Sequence, residues 1–367
     1  MSRALDAVAS ALGRFDGRPV DLLVGEPCFD APAEIRAAFE RIAGGSASGY
    51  GPPAGLPELR GILAARSGGG AAADNVVVTH GAKGGLLVVL ATVIEPGDEV
   101  VHALPCYPAY PAMVRRFGGV PVGVPERGDG FAGWVDGVLA AVGPRTRAVV
   151  VSSPSNPSGT TMDGDLLVAL VGDCAERGLR VILDQAYDGF RYDGRCAPDP
   201  AVLDPEVVVR VGSASKSLAL CGWRIGWVVT DAGLAGRVIG AQAALLNPPA
   251  TPPQRALLAL PEVPESYFER NREAVQERIE AVIGAMRGAG FDAAMPAGGF
   301  YVWVDVRDRL AGASAAAWCE RLAEERGVGL WPGEDFGSPG FVRLALPRGD
   351  RWRETVAELE RRLMLGP

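Results

Sequence analysis

The apolar positions of this chain fall into runs that change character at residue 75. Downstream of it, short blocks of Val, Ile and Leu alternate with longer helical stretches. Candidate strands are 76–79, 99–103, 120–124, 148–152, 180–183, 207–211 and 226–230. Several are continuous apolar runs, the pattern of a sheet buried on both faces. Helices are expected between most of them, as at 84–94, 165–177 and 232–245. The pattern predicts an α/β fold with a mostly parallel seven-stranded sheet flanked by helices.

Upstream, residues 1–20 read as a short amphipathic helix and its exit. Gly25, Pro27 and Pro32 then break any regular element in L-L-V-G-E-P-C-F-D-A-P. A helix over 33–43 runs into Gly44-Gly45, and a Gly/Pro loop from Tyr50 opens into a helix at 56–65. The segment N-P-P-A-T-P-P at 247–253 reads as a linker. Beyond it, helix 266–288, strand 300–304, helix 313–326, strand 341–346 and helix 351–363 form a smaller α+β unit. The expected division is a large cofactor-binding domain, 45–250, and a small domain from 1–44 with 251–367.

The chain has 367 residues, 48% hydrophobic and 22% charged, enough for a large core. A net charge of -8 with no basic run argues against nucleic acid or an anionic membrane as partner. The opening M-S-R-A-L-D-A-V lacks the apolar core of a signal peptide, and no apolar run is long enough for a membrane span. Cys28, Cys106, Cys174, Cys196, Cys221 and Cys319 include no close pair, and His80 and His102 are the only histidines. Disulfide frameworks and zinc or other metal sites are therefore not expected, and a cytoplasmic location is.

Candidate chemistry centres on V-G-S-A-S-K-S-L-A-L-C-G-W-R-I-G-W, residues 211–227. Lys216 follows a valine-rich strand, where burial favours the neutral, nucleophilic amine that forms an imine with a carbonyl. Ser213, Ser215 and Arg224 beside it suit a phosphate dianion. That pairing points to pyridoxal phosphate, although a solvated lysine in a Ser-rich turn has the same local sequence.

Other strand ends carry matching parts, as ligands in open α/β sheets bind there. Gly81, Ala82 and Lys83 open a helix whose amides suit a phosphate. Tyr107 can stack on a flat heterocycle, while Tyr107 and Tyr110 also suit core positions. Asn156, between two prolines, offers its amide to a ligand oxygen or serves turn geometry alone. Asp184 ends the R-V-I-L-D strand, three residues before Tyr187; it needs a cationic partner such as a protonated pyridine nitrogen, or else caps the next helix.

Taken in this order, the chain resembles the class I/II aminotransferases, fold-type I pyridoxal-phosphate enzymes. The resemblance rests on Y-G-P-P-A-G-L-P-E-L-R, N-P-S-G, D-Q-A-Y and S-A-S-K-S-L-A-L-C-G-W-R-I-G-W. It spans nearly the whole chain, from G-E-P-C-F-D-A-P to F-V-R-L-A-L. It implies Lys216 as the lysine that bonds the cofactor and moves the proton, with Asp184 pairing the pyridine nitrogen. Asn156 and Tyr187 would hold the ring hydroxyl oxygen and Tyr107 would stack on the ring. Ser213, Ser215, Arg224 and the amides at Gly81, Ala82 and Lys83 would bind the phosphate. The resemblance further implies a homodimer in which Tyr50 reaches the neighbouring site. Arg343 would clamp the substrate α-carboxylate, and Gly25 would line the substrate pocket with Asn156.

The implied reaction moves an amino group between an L-α-amino acid and a 2-oxo acid, and biosynthesis of a non-proteinogenic amino acid is one use for it. Lys83, Cys28 and His80 depart from or extend the family pattern; Lys83 is expected to face solvent and His80 to pack. Glu26 and Asp30 either receive a cationic substrate side chain or are surface charges. A lyase, cyclase or oxidase on an amino acid, for example an arginine-derived one, would keep the same motifs. A regulator's sensor domain would need a fused DNA-binding module, for which the chain has no room before Tyr50.

Overall fold

The computed structural model describes residues 3–43, 45, 49–126, 131–194, 197 and 199–364. A short strand, Val20–Asp21 (β1), precedes the central sheet. That sheet comprises Val76–Thr79 (β2), Glu99–Leu104 (β3), Val120–Pro125 (β4), Thr146–Ser152 (β5), Arg180–Asp184 (β6), Val208–Ser213 (β7) and Gly226–Val229 (β8). Its order is β2-β8-β7-β6-β5-β3-β4, and β8 is antiparallel to both neighbours while the other pairings are parallel. The seven-stranded, mostly parallel sheet expected from the sequence is therefore present.

The continuous valine runs have a direct cause. Val100, Val150, Ile182, Val209 and Val211 pack on one face with the helices Gly81–Val93 and Ala232–Leu245. Val101, Val149, Val151, Val181 and Leu183 pack on the other with Phe131–Ala141 and Gly164–Glu176. The central strands bury most of both sets of alternating side chains, so both sets are mainly apolar; β4, at the sheet edge, is the exception, with Val120 44% exposed.

Val302–Asp305 (β9), Val328–Gly329 (β10), Trp331–Pro332 (β11) and Phe341–Leu344 (β12) complete the strands. They form an antiparallel sheet, β11-β12-β9, and a parallel β1-β10 pair. A second core joins them to the helices Arg3–Arg14, Glu265–Gly288, Ala315–Arg326 and Trp352–Met364 through Leu5, Val8, Val275, Ile279, Leu322 and Leu359. The helix Ala33–Ala43 and residues 256–263 pack elsewhere: Ile35, Leu257 and Leu260 meet Leu59, Val78 and Ile225 beside the large sheet.

The expected linker 247–253 is only partly irregular. A helix, Thr251–Ala256, begins inside it, because Pro252 and Pro253 fall in the first turn, where a missing N–H costs nothing. The helix expected at 84 starts instead at Gly81. Gly85 lets it lie close on the sheet, since a Cβ there would stand 3.2 Å from Val211 and Val228.

The carboxyl ends of β5, β6 and β7 are adjacent, with Ser152 opposite Asp184 and Asp184 opposite Val211. Gly226 is what brings the helix Gly81–Val93 up to this edge. A Cβ on it would lie 2.5 Å from the Gly81 carbonyl carbon and 2.6 Å from the Ala82 nitrogen, both backbone. Gly226→Ala should therefore lower the urea midpoint, by about 1–3 kcal/mol of stability. Gly236→Ala, in a helix with open space around it, should gain about 0.5–1 kcal/mol. Equal midpoints for the two variants would contradict this packing.

Candidate active site

β7 ends at Ser213, whose hydroxyl accepts a hydrogen bond from the Ser215 amide at 3.1 Å and so opens the one-turn helix Ala214–Ser217. That turn carries Lys216, half-buried, with Nζ donating to the Gly25 carbonyl at 2.5 Å. The chain then turns back through Arg224, which adopts a left-handed φ of 56°, an uncommon conformation for a bulky residue. The turn returns its guanidinium to the start of the lysine helix, with Nη1 3.4 Å from Ser215 Oγ and 2.9 Å from the Cys221 carbonyl. Nη2 donates to the His80 carbonyl at 3.3 Å, which links Arg224 to the Gly81–Val93 helix.

Gly81 is required on two counts. Its φ is +71°, and a Cβ there would sit 2.5 Å from Arg224 Nη2. The result is a small cup rimmed by Ser213, Ser215, the exposed Arg224 and the first amides of a helix, all suited to a dianion. Ala82 lies at the cup, and Lys83 is exposed, as expected. His80 lies just behind; its burial and then the nearby Arg224 charge hold its pKa below the ordinary range.

Asp184 ends β6 at 6% exposure. It accepts from the Tyr110 hydroxyl at 2.8 Å and the Ala186 amide at 3.0 Å. No ion pair among the described residues includes it. Burial raises its pKa, and these two hydrogen bonds offset the rise only in part. Tyr110 is thus a functional neighbour rather than a core residue alone. It sits one helical turn after Tyr107, and the two rings meet edge to face with centroids 5.7 Å apart.

Arg343, in β12, is 1% exposed. Its guanidinium lies over three rings, 4.0 Å from the Tyr301 centroid, 4.2 Å from Trp331 and 5.1 Å from Phe336. Nη1 donates to Asn156 Oδ1 at 2.9 Å and Nη2 to the Leu23 carbonyl at 2.8 Å. Nε is buried with no partner among the described residues. Asn156 and Arg343, predicted separately, therefore meet directly. Leu23 and Gly25 belong to one strap that crosses from Arg343 to Lys216.

Tyr187 is buried, 5.7 Å from Lys216 Nζ by its ring, and its hydroxyl pairs with that of Tyr301 at 2.7 Å. Tyr301, Trp331 and Phe336 went unread in the sequence. They follow no strand end of the large sheet, and only G-G-F-Y before β9 marks the first of them. Tyr50 stands apart at 91% exposure. Cys28 packs against the second core, where burial raises its thiol pKa. Glu26 forms an ion pair with Arg348, so its charge is already matched, and the Asp30 carbonyl accepts from the Tyr267 hydroxyl. Among the described residues, no cluster of side chains suits a metal ion.

The assembled groups are an amine, an anion cup, a buried carboxyl without its cation, and a guanidinium fork. Comparisons with known proteins give the family. The family model described as "Aminotransferase class I and II" matches residues 18–361. The chain is 34% identical to the aspartate/prephenate aminotransferase of Thermus thermophilus, over 93% of this chain and 90% of the relative. It is 36% identical to the arginine–pyruvate transaminase of Pseudomonas aeruginosa, over 99% of this chain and 94% of the relative. The aspartate aminotransferase of Thermus thermophilus solved with maleate superposes with a TM-score of 0.91 at 32% identity, covering 99% of this chain and 96% of that one.

The Asp184 carboxyl has a consequence for stability without any ligand. Its pKa is raised above the ordinary 3.8, so between that pH and the raised value the folded state holds more protons than the unfolded state. Stability then falls as pH climbs through this window. Asp184→Asn should be more stable than the parent at pH 7, by about 0.5–2 kcal/mol, with the advantage shrinking in acid. Urea titrations at pH 4.5 and 7 measure it; a variant destabilised equally at both would refute the assignment.

Proposed function

Given that the chain belongs to the class I and II aminotransferases and works with pyridoxal phosphate, we propose that Lys216, Asp184 and Arg343 organise its amino transfer. The observation that carries this reading is Asp184: a buried carboxyl with two hydrogen bonds and no cation fits a protonated ring nitrogen. The Gly81–Arg224 cup, which a single Cβ would fill, fits a phosphate group. When bound there, the cofactor supplies the electron sink for a Cα–H bond broken in an amino acid.

The chain's own residues do the rest. Ser213, Ser215, Arg224 and the amides at Gly81, Ala82 and Lys83 bind the phosphate, and Tyr107 covers the ring. Asn156 and Tyr187 hold the ring hydroxyl oxygen. Lys216 Nζ would take the proton from the substrate Cα and deliver it to the cofactor carbon on the far side of the amino nitrogen, serving as base and then as acid. Arg343 binds the α-carboxylate through its planar fork, against Gly25 and Asn156 in the substrate pocket. In this proposal residues 45–250 hold the cofactor, while 1–44 with 251–367 supply the carboxylate clamp. All relatives named above are aminotransferases, which favours transfer over the lyase, cyclase or oxidase reading.

The same reading includes a homodimer, supported by the large exposed ring of Tyr50 just ahead of the Gly/Pro loop. It includes action in the cytoplasm, supported by the free thiols of Cys28, Cys106, Cys174, Cys221 and Cys319. No described helix is long and apolar enough to cross a membrane.

Single additions from a panel of L-amino acids, with no oxo acid present, test the reaction class. Amination of the cofactor with one equivalent of 2-oxo acid released is expected. Ammonia release, oxygen consumption or cyclised product would instead favour the alternative. Lys216→Ala should end borohydride-fixable attachment of the cofactor, and Arg343→Ala should raise KM for the donor roughly 10²–10³-fold. An unchanged KM would move the clamp elsewhere. Tyr50→Phe should loosen cofactor retention by about tenfold if its hydroxyl meets a neighbouring phosphate; unaltered retention would remove Tyr50 from the site.

A further inference from the structure

Tyr301 sits where the groups of the site converge. It is 3% exposed and comes from the segment just before β9. Its ring lies on the Arg343 guanidinium at 4.0 Å, and its hydroxyl pairs with Tyr187 at 2.7 Å. A Cβ on Gly25 would stand 2.3 Å from that hydroxyl, and the Gly25 carbonyl takes Lys216 Nζ. Gly25 therefore has no side chain because Tyr301 occupies the space.

Packing alone explains the ring but not the oxygen. A phenylalanine would stack on Arg343 equally well, and a buried hydroxyl is costly unless bonded. Among the described residues its one hydrogen-bond partner is Tyr187. Each tyrosine has one proton to donate. If Tyr187 gives its own to an acceptor beyond the pair, Tyr301 must donate to Tyr187. A hydroxyl that accepts a hydrogen bond is a stronger donor in turn.

We propose that Tyr301 is a positioning residue for amino transfer, aiming the single proton of Tyr187 at the cofactor's ring hydroxyl oxygen while its ring holds Arg343 for the substrate carboxylate. The inference rests on the reading of Tyr187 given above. The charged and titratable groups facing Tyr301 are Arg343 from β12, Lys216 from the turn after β7, Tyr187 after β6, Tyr107 after β3, and Cys221. Burial pushes its pKa up while the Arg343 and Lys216 cations beside it pull it down, leaving it below the ordinary range. Tyr187 moves the other way, raised by burial and by Tyr301.

The test is an absorbance pH titration of the lysine-bound cofactor in holoenzymes carrying Tyr301→Phe or Tyr187→Phe. Weakening the donor to the ring oxygen leaves that oxygen more basic, so both midpoints should rise. Tyr301→Phe acts one bond removed and should shift its midpoint by about 0.1–0.7 unit, less than Tyr187→Phe. Its KM for the amino donor should stay within about twofold, whereas Tyr301→Leu, which removes the stack, should raise KM several-fold. A midpoint moved by Tyr187→Phe but not by Tyr301→Phe overturns the role of Tyr301. If neither variant moves it, the reading of Tyr187 itself fails, and the inference falls with it.

Discussion

A guanidinium at 1% exposure cannot stand without partners, and the partners of Arg343 come from every part of the chain that surrounds the site. Asn156 reaches it from the loop after β5 and Leu23 from the N-terminal strap. Tyr301, Trp331 and Phe336 surround it from the smaller sheet. Breaking one such contact leaves a buried cation undersatisfied, a loss of several kcal/mol. Fixing Arg343 therefore fixes the strap, and the strap carries Gly25 to Lys216. The seat of Arg343 and the seat of Lys216 are one structural problem.

Asp184 poses the opposite problem. Two hydrogen bonds to a carboxylate are worth about 1.5–3 kcal/mol each, yet they do not bring its pKa back to the ordinary range. A cation delivered by a ligand would relieve that cost at the moment of binding. Arg224 adds a left-handed backbone, and the buried Nε of Arg343 adds an unpaired donor. Unfavourable terms thus gather where a ligand can offset them, while the valine layers on both sheet faces supply the stability.

The strands were legible because a sheet buried on both faces writes itself as unbroken valine and isoleucine. Lys216, Asp184 and Asn156 were legible because each ends or follows such a run, and Arg224 because it closes the motif that carries Lys216. Tyr110 was seen but stayed ambiguous, since a tyrosine on an apolar helix face looks the same whether or not its hydroxyl finds a carboxylate. Tyr301, Trp331 and Phe336 were not readable. They converge on Arg343 only after β9, β11 and β12 are laid side by side, and register between distant strands leaves no local trace. The helix inside the supposed linker was missed for a different reason: prolines read as breaks, but in a first turn they begin a helix.

Buried and exposed charges near Gly25 differ in weight. Arg343 acts from a desolvated position between rings, where a carboxylate gains a charge-assisted, bidentate contact. Glu26 and Arg348 stand one residue beyond Gly25 at 40% and 58% side-chain exposure. A pair so open is worth about 0–1 kcal/mol and is screened by salt. The Glu26–Arg348 pair can therefore be separated at little cost, whereas the charge of Arg343 can be matched only by a partner brought to it out of water. In the proposed reading that partner is the substrate α-carboxylate, and Arg343 reads it strictly because its charge is held away from water.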